Sequence, residues 1–165
     1  GPVEGESRNV LLESARIARG DVADISTIDP ADLDALILPG GFGAAKNLCT
    51  FAVDGPEMTV NADVERIIRA MHSARKPIGF ICIAPAIGAK VLGPDHNIKL
   101  TIGNDEATAN AINAMGARHQ KTSPGEICID QANRVVSTPA YMIGPSIAAV
   151  YEGIDKLVGT LMEMA

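Results

Sequence analysis

The chain has 165 residues, 47% of them hydrophobic and 21% charged, a composition typical of one soluble globular domain and not of a disordered chain. The formal charge of −6 gives no basic surface for nucleic acid or for an anionic membrane. No apolar run is long enough to cross a bilayer, and the three cysteines and three histidines are too scattered to indicate a disulfide framework or a zinc site.

The first half of the chain predicts helices separated by two buried strands. A helical pattern runs from Arg8 to Arg19 and ends at Gly20. The short apolar runs Ala35–Leu38 and Pro77–Cys82 end at turns and predict strands of a parallel sheet. Two further helices are predicted between these strands, at residues 43–51 and after the capping residue Asn61.

The second half continues the alternation of helix and strand. Pro85 suits the start of a helix that runs to about Val91. Two more elements are a strand over residues 99–102 and a helix over residues 107–115, followed by a hairpin of residues 127–130 and 135–138. The last element is a long amphipathic helix with an apolar stripe that is predicted to pack into the hydrophobic core. The stripe consists of Ile147, Val150, Tyr151, Ile154, Leu157, Val158 and Leu161.

This alternation predicts a doubly wound α/β fold with a mostly parallel sheet. Ligands of such sheets bind beyond the carboxyl ends of the strands. Three features fall at that edge, namely Gly40-Gly41, Cys82 and Gly103-Asn104. We therefore expect the functional site there.

Cys82 is the candidate nucleophile because it stands between an apolar strand and a helix marked by Pro85. This is the geometry of a nucleophile elbow, and a helix N-terminus favours the thiolate form. The N–H of Ile83 and an N–H at Gly40-Gly41 are candidate donors to an oxyanion. The alternative is a buried packing cysteine, which is common in strands.

Four segments closely resemble signatures of the DJ-1/PfpI superfamily. Two are Leu36–Leu48, with the core Pro39-Gly40-Gly41-Phe42-Gly43, and Lys76–Ala86 around Cys82. The third segment, residues 6–10 with 15–20, and the fourth, residues 136–142, narrow the resemblance to the ElbB/ES1 branch, whose members are known as glyoxalases or as isoprenoid-biosynthesis (lycopene-enhancing) proteins. The match runs through nearly the whole chain, with the four motifs in order.

The resemblance implies a flavodoxin-like sandwich of the class I glutamine amidotransferase type, with Cys82 as nucleophile. It implies glutathione-independent conversion of glyoxal or methylglyoxal to a hydroxy acid, with no cofactor and no metal. It further implies a homodimer, and the negative charge of the chain independently favours neither nucleic acid nor a membrane as a partner. We expect a cytoplasmic protein, as for a bacterial member, although eukaryotic relatives can be mitochondrial.

Two departures from the family pattern affect the site. Many PfpI-like members have His directly after the cysteine, where this chain has Ile83. Family members also begin with a strand and helix that supply a glutamate near the nucleophile, so residues 1–165 are interpreted as a single domain that is incomplete at its N-terminus. Asp105 and Glu106 are the remaining acid/base candidates, although carboxylates there commonly stabilise a helix N-terminus.

Two other functions stay open. Cys82 can instead be an oxidisable thiolate of a redox-responsive or chaperone-like protein. A glutamine amidotransferase ranks last because it needs a histidine base, and neither His72, His96 nor His119 falls at a strand end. The candidate residues are therefore Cys82 as nucleophile, Gly40, Gly41, Ile83 and Asn104 for binding, and Asp105 and Glu106 as acid/base groups.

Overall fold

The computed structural model describes residues 4–144 and 146–165. Six strands are defined: β1 Leu36–Leu38, β2 Ile78–Ile81, β3 Lys99–Leu100, β4 Arg118–His119, β5 Cys128–Asp130 and β6 Val135–Thr138. The main sheet has the order β1-β2-β6-β5, in which β1, β2 and β6 are parallel and β5 is antiparallel to β6. The predicted mostly parallel sheet and its final hairpin are confirmed.

The helices begin mostly at side chains that bind the free N–H groups of the first turn. They are α1 Val10–Ile17, α2 Phe51–Asp54, α3 Ala62–Ser73, α4 Pro85–His96, α5 Glu106–Ala114 and α6 Ile147–Met164. Asn9, Asn61, Asp105 and Ser146 cap α1, α3, α5 and α6, respectively. None of the helices described is long and apolar enough to span a bilayer.

The sheet is covered on both faces, as neighbouring residues of β2 show. Side chains alternate between faces along a strand. A Cβ added to Gly79 would lie 2.6 Å from Leu161 of α6, whereas the adjacent Phe80 ring lies against Gly88 of α4. Thus α6 packs on one face and α4 on the other, which confirms the doubly wound arrangement.

Two elements differ from the sequence prediction. The strand expected at 99–102 is β3, which pairs with β4 in a separate two-stranded sheet and not with the main sheet. The helix expected at 43–51 is a π-helical turn, Ala44–Leu48, interrupted at Cys49 before α2. The helix breaks there because Cys49 has an extended backbone and forms an antiparallel bridge with Val60.

The ends of α4 and the face of α6 also differ. Helix α4 continues past Val91 to His96 and includes Pro94 in its last turn. On α6, Val150, Leu157 and Leu161 are buried, whereas Ile147 and Tyr151 are 77% and 68% exposed. The predicted stripe therefore combines a true core face with an exposed flank.

The N-terminal helix α1 packs differently from the others, since none of its side chains is buried. Its side chains and those of the loop after β1 line one open cavity. The interpretation of residues 1–165 as an incomplete domain stays a prediction.

Candidate active site

Cys82 occupies a sharp turn between β2 and α4. Its φ is +65°, a left-handed conformation that non-glycine residues adopt at a cost of about 1–3 kcal/mol and that clusters at functional sites. The Cys82 N–H donates to the Thr138 carbonyl of the adjacent strand at 3.0 Å, which holds the turn in place. The side chain is only partly buried, so the thiol is accessible. The backbone geometry is that of a nucleophile elbow.

Gly40 lies directly against this elbow. A Cβ added to Gly40 would lie 2.6 Å from the Ile81 carbonyl oxygen, 2.7 Å from the Cys82 Cβ and 2.9 Å from the Ile83 nitrogen. Only glycine permits that approach. The structure therefore brings together three of the residues that the sequence singled out: Gly40, Cys82 and Ile83.

Two backbone N–H groups adjoin this contact, that of Ile83 next to Cys82 and that of Gly41 next to Gly40. Within residues 4–144 and 146–165, the N–H groups of Gly41 and Ile83 have no hydrogen-bond partner. Gly41 has a φ of +95°, a conformation that glycine adopts without strain. Unpaired N–H groups beside a nucleophile are the donors that an oxyanion requires.

The other two cysteines have a different environment. Cys49 and Cys128 are buried, with exposed fractions of 4% and 1%. Burial raises the pKa of the Cys49 thiol, and it raises that of Cys128 to about 11. Both are therefore protonated packing residues at neutral pH, and Cys82 is the accessible thiol.

The predicted residues after β3 take other positions. Asp105 caps α5 by accepting a hydrogen bond from the Thr108 N–H at 2.8 Å, which lowers the pKa of its carboxyl. Glu106 is exposed in the first turn of α5, and Asn104 is also exposed. Gly103 packs against Pro139 and Ile143, the segment that follows β6. The roles of Asn104, Asp105 and Glu106 in the site stay predictions.

An open cavity of about 930 Å³ extends from Gly40 to α1. Sequence reasoning did not assign its polar lining to the site, namely Glu6, Arg8, Glu13, Ser14 and Asn47. Glu6 and Arg8 lie in the segment 6–10 and Asn47 lies in the segment Leu36–Leu48, and the resemblance of both segments to the family was a signal that these residues matter. Asn47 is positioned by the π-helical turn Ala44–Leu48, an irregularity that often marks functional sites.

The histidines do not approach the elbow in a catalytic arrangement. His72 contacts the Asn133 side chain at 3.2 Å, and its ring centroid lies 4.2 Å from that of His96. His119 lies near the Ile102 nitrogen, at 3.4 Å. No group of three or more His, Cys, Asp or Glu side chains able to hold a metal occurs in the part of the chain that the structure describes.

Similar proteins share both the sequence and the fold. The human glutamine amidotransferase-like class 1 domain-containing protein 3, mitochondrial, is 47% identical over 99% of this chain, and the rat ES1 protein homolog, mitochondrial, is 45% identical over the same share. The crystal structure of an Ehrlichia chaffeensis isoprenoid biosynthesis protein with an amidotransferase-like domain is 37% identical, with a TM-score of 0.88 over 97% of this chain and 72% of that one.

The chain belongs to the ElbB/ES1 branch of the DJ-1/PfpI superfamily. A DJ-1 superfamily protein from Agrobacterium tumefaciens, 22% identical, shares the fold with a TM-score of 0.52 over 82% of this chain and 62% of that one. No family model matches the chain.

The ElbB/ES1 relatives are longer than this chain, and their names bear on its predicted location in the cell. The chain spans 63% of the length of the human protein and 64% of that of the rat protein. The prediction of a cytoplasmic protein is wrong, because the curated human, rat and zebrafish relatives are all named mitochondrial, which points to a mitochondrial protein.

Proposed function

We propose that this protein converts small dicarbonyls, such as glyoxal and methylglyoxal, to hydroxy acids through Cys82 and without glutathione. The observation that carries the proposal is the elbow. The accessible thiol of Cys82 has a left-handed backbone, the next residue, Ile83, has an N–H without a partner among the described residues, and so has Gly41, which follows the Gly40 that contacts the elbow. Membership of the ElbB/ES1 branch supports a role for that cysteine.

The reaction follows from this arrangement. The Cys82 sulfur adds to the aldehyde carbon, and the N–H groups of Gly41 and Ile83 stabilise the oxyanion until it is protonated to a hemithioacetal. A base removes the hydrogen on that carbon, and an acid returns a proton to the neighbouring carbonyl carbon, which becomes the alcohol carbon of a thioester. Water cleaves the thioester to release the hydroxy acid and the thiol. The oxidation of one carbon balances the reduction of the other, so no external oxidant is required.

The proton transfer requires a carboxylate near the substrate. Glu6 and Glu13 line the cavity that ends at Gly40, and Glu13 is the more buried of the two. Asp105, by contrast, is engaged as the cap of α5. We therefore assign the proton transfer first to Glu13, with Asp105 and Glu106 as the alternatives.

The decisive experiment compares dicarbonyl turnover in the wild type, Cys82→Ala and Cys128→Ala. Formation of glycolate from glyoxal and lactate from methylglyoxal is expected in the wild type without glutathione. Turnover should be lost in Cys82→Ala and retained in Cys128→Ala, whose deleted thiol is buried and protonated. Turnover that survives in Cys82→Ala would contradict the proposal.

A second candidate is a redox-responsive or chaperone-like protein in which Cys82 is oxidised and has no substrate. The partial exposure of Cys82, against the burial of Cys49 and Cys128, favours it. Sulfinate confined to Cys82 under mild peroxide, with no hydroxy acid formed from either dicarbonyl, would identify this function.

We also propose a homodimer, as the resemblance to the family implies. The exposed apolar side chains Ile147 and Tyr151 on α6 are compatible with a protein contact. Sedimentation velocity should give twice the mass of the single chain, and a single-chain mass at all concentrations would contradict the dimer.

A further inference from the structure

The strand end that holds the Cys82 elbow is itself anchored by a buried hydroxyl group. The Cys82 N–H donates to the Thr138 carbonyl at 3.0 Å, and Thr138 is the last residue of β6. Thr138 is fully buried, and its Oγ1 donates to the Glu126 carbonyl at 2.9 Å. One residue therefore carries both the acceptor that holds the elbow and an anchor to a different part of the chain.

The anchor is attached to a turn that is fixed on both sides. Glu126 closes the turn with Ser123, since its N–H donates to the Ser123 carbonyl at 3.2 Å and its carboxylate accepts from the Ser123 N–H at 2.7 Å. Lys156 of α6 donates to the Gly125 carbonyl of the same turn at 2.9 Å. The Thr138 hydroxyl therefore links β6 to a turn that is bound both to itself and to α6.

Helix α6 has room for this hydroxyl because a glycine faces it. A Cβ added to Gly153 would lie 2.6 Å from Thr138 Oγ1 and 3.4 Å from Gly125 Cα. The backbone of α6 therefore packs directly on the hydroxyl and on the turn that accepts its hydrogen bond. This close packing leaves the Thr138 side chain little freedom to shift toward α6.

The backbone on both sides of the elbow contact would relax if it were not supported. Cys82 has a φ of +65°, and Ala140, two residues after Thr138, has a φ of +43°. Non-glycine residues keep such conformations only where the surrounding structure fixes them. The hydrogen bond from the Cys82 N–H to the Thr138 carbonyl joins these two strained segments, so loss of the anchor on Thr138 would allow both to move.

We propose that Thr138 is a positioning residue for Cys82, because its anchored hydroxyl fixes the carbonyl that holds the thiol at the start of α4. This inference rests on the proposed role of Cys82 as the reactive thiol and adds the residue that keeps it in place. Thr138 acts only through the position of Cys82. Its loss should therefore lower the rate of chemistry at Cys82, and hence kcat, without changing KM.

The first test removes the hydroxyl and measures the rate constant for alkylation of Cys82 by iodoacetamide, together with kcat and KM for methylglyoxal. Thr138→Val should lower the rate constant and kcat about five- to tenfold, the scale of one hydrogen bond, with KM unchanged. Thr138→Ser keeps the hydroxyl and should restore both values. Thr122→Val is the matched control, because it removes another buried hydroxyl, which contacts Thr101 Oγ1 at 2.8 Å, and should react as the wild type does.

A second pair of variants displaces the hydroxyl from the side of α6 and does not depend on how Thr138→Val folds. Gly153→Ala directs a methyl group at Thr138 Oγ1 and should slow the alkylation of Cys82. Gly159→Ala on the same helix meets nothing within 4 Å and should leave the alkylation rate unchanged. Circular dichroism and urea unfolding are recorded for every variant, so that the rates are compared between folded proteins.

The two tests separate the failure of this inference from that of the proposed function. Alkylation of Cys82 at the wild-type rate in folded Thr138→Val or Gly153→Ala would overturn the inference, and so would an equal loss in Thr122→Val. Slower alkylation in both variants of a protein that turns over no dicarbonyl would support the positioning role and overturn the dicarbonyl reaction. Turnover of methylglyoxal at the wild-type kcat in Thr138→Val would retain the proposed function and overturn the inference.

Discussion

At the scale of single residues, the site depends on a glycine that has no room for a side chain. The atoms that crowd a Cβ on Gly40 belong to the backbone and Cβ of the elbow, which cannot move without displacing Cys82. The sequence correctly indicated this glycine, because a glycine pair after a buried strand predicts a close approach of the backbone.

Gly40→Ala is therefore expected to reduce dicarbonyl turnover at least tenfold and to destabilise the fold by about 1–3 kcal/mol, as overpacking does. Gly43→Ala is the matched control. A Cβ on Gly43 would lie 3.8 Å from the Asn47 side chain, an ordinary contact, and its φ is −60°. Steady-state kinetics and denaturant unfolding measure both effects. Equal behaviour of the two variants would contradict the role assigned to Gly40.

A second pair of variants distinguishes the roles of Glu13 and Asp105 in proton transfer. Asn caps a helix as well as Asp does, so Asp105→Asn removes the acid/base group and keeps the cap of α5. We expect Asp105→Asn to retain full turnover and Glu13→Gln to lower kcat about 100-fold or more, the usual scale of general acid–base catalysis, with little change in KM. Loss of turnover in Asp105→Asn alone would assign the proton transfer to Asp105.

At the scale of elements, the packing of α6 on β2 gives a matched test of the fold. A Cβ on Gly79 would lie 2.6 Å from Leu161 and 3.0 Å from Leu157, whereas a Cβ on Gly159 of the same helix would meet nothing within 4 Å. Gly79→Ala should lower the free energy of unfolding by about 1–3 kcal/mol. Gly159→Ala should raise it by about 0.5–1 kcal/mol, because alanine favours a helix over glycine. Destabilisation by Gly159→Ala would contradict the exposed position of that residue.

Several elements were predictable from the sequence, and others were not. Strands β1 and β2 are short apolar runs that end at turns, so the sequence pattern was sufficient to predict both strands. The pairing of β3 with β4 was not predictable, since two-residue strands have no periodicity and the Arg118–His119 pair gives no apolar signal. The break at Cys49 depends on its bridge to Val60, a tertiary contact that overrides local helix propensity.

In the candidate site, too, some residues were predictable from the sequence and others were not. Cys82, Ile83 and Gly40 adjoin strands, so the parallel topology alone brings them to one edge. Glu13 lies on α1 and Arg8 precedes that helix, and both line the cavity that includes Gly40, although no side chain of α1 is buried. A helical pattern without a buried face gives no signal for where the helix lies, so this part of the cavity lining was not predictable.

At the scale of the whole molecule, stability should decrease when the solution is made mildly acidic. Burial is the main cause that lowers the pKa of His72, and the nearby His96 and Arg75 lower it further. The hydrogen bond to Asn133 and the charge of Asp130 act in the opposite direction but do not outweigh burial. Burial also lowers the pKa of His119. The unfolded chain therefore binds more protons than the folded one below about pH 6.5, so stability is full above that pH and falls below it.

Urea unfolding at pH 7.5 and pH 5.5 measures this effect. We expect a lower free energy of unfolding at pH 5.5, by less than about 1.4 kcal/mol per histidine, because both histidines are partly exposed to solvent. The double variant His72→Gln, His119→Gln should show a smaller difference between the two pH values. An identical difference in that variant would contradict the assignment to these histidines.

The most direct test of the central claim is the reaction of the three thiols with one equivalent of iodoacetamide near pH 7, mapped by peptide mass spectrometry with and without methylglyoxal. The account predicts alkylation of Cys82 well ahead of Cys49 and Cys128, and loss of that alkylation when methylglyoxal occupies the thiol. Equal labelling of the three cysteines, or labelling of Cys82 that methylglyoxal does not slow, would contradict it.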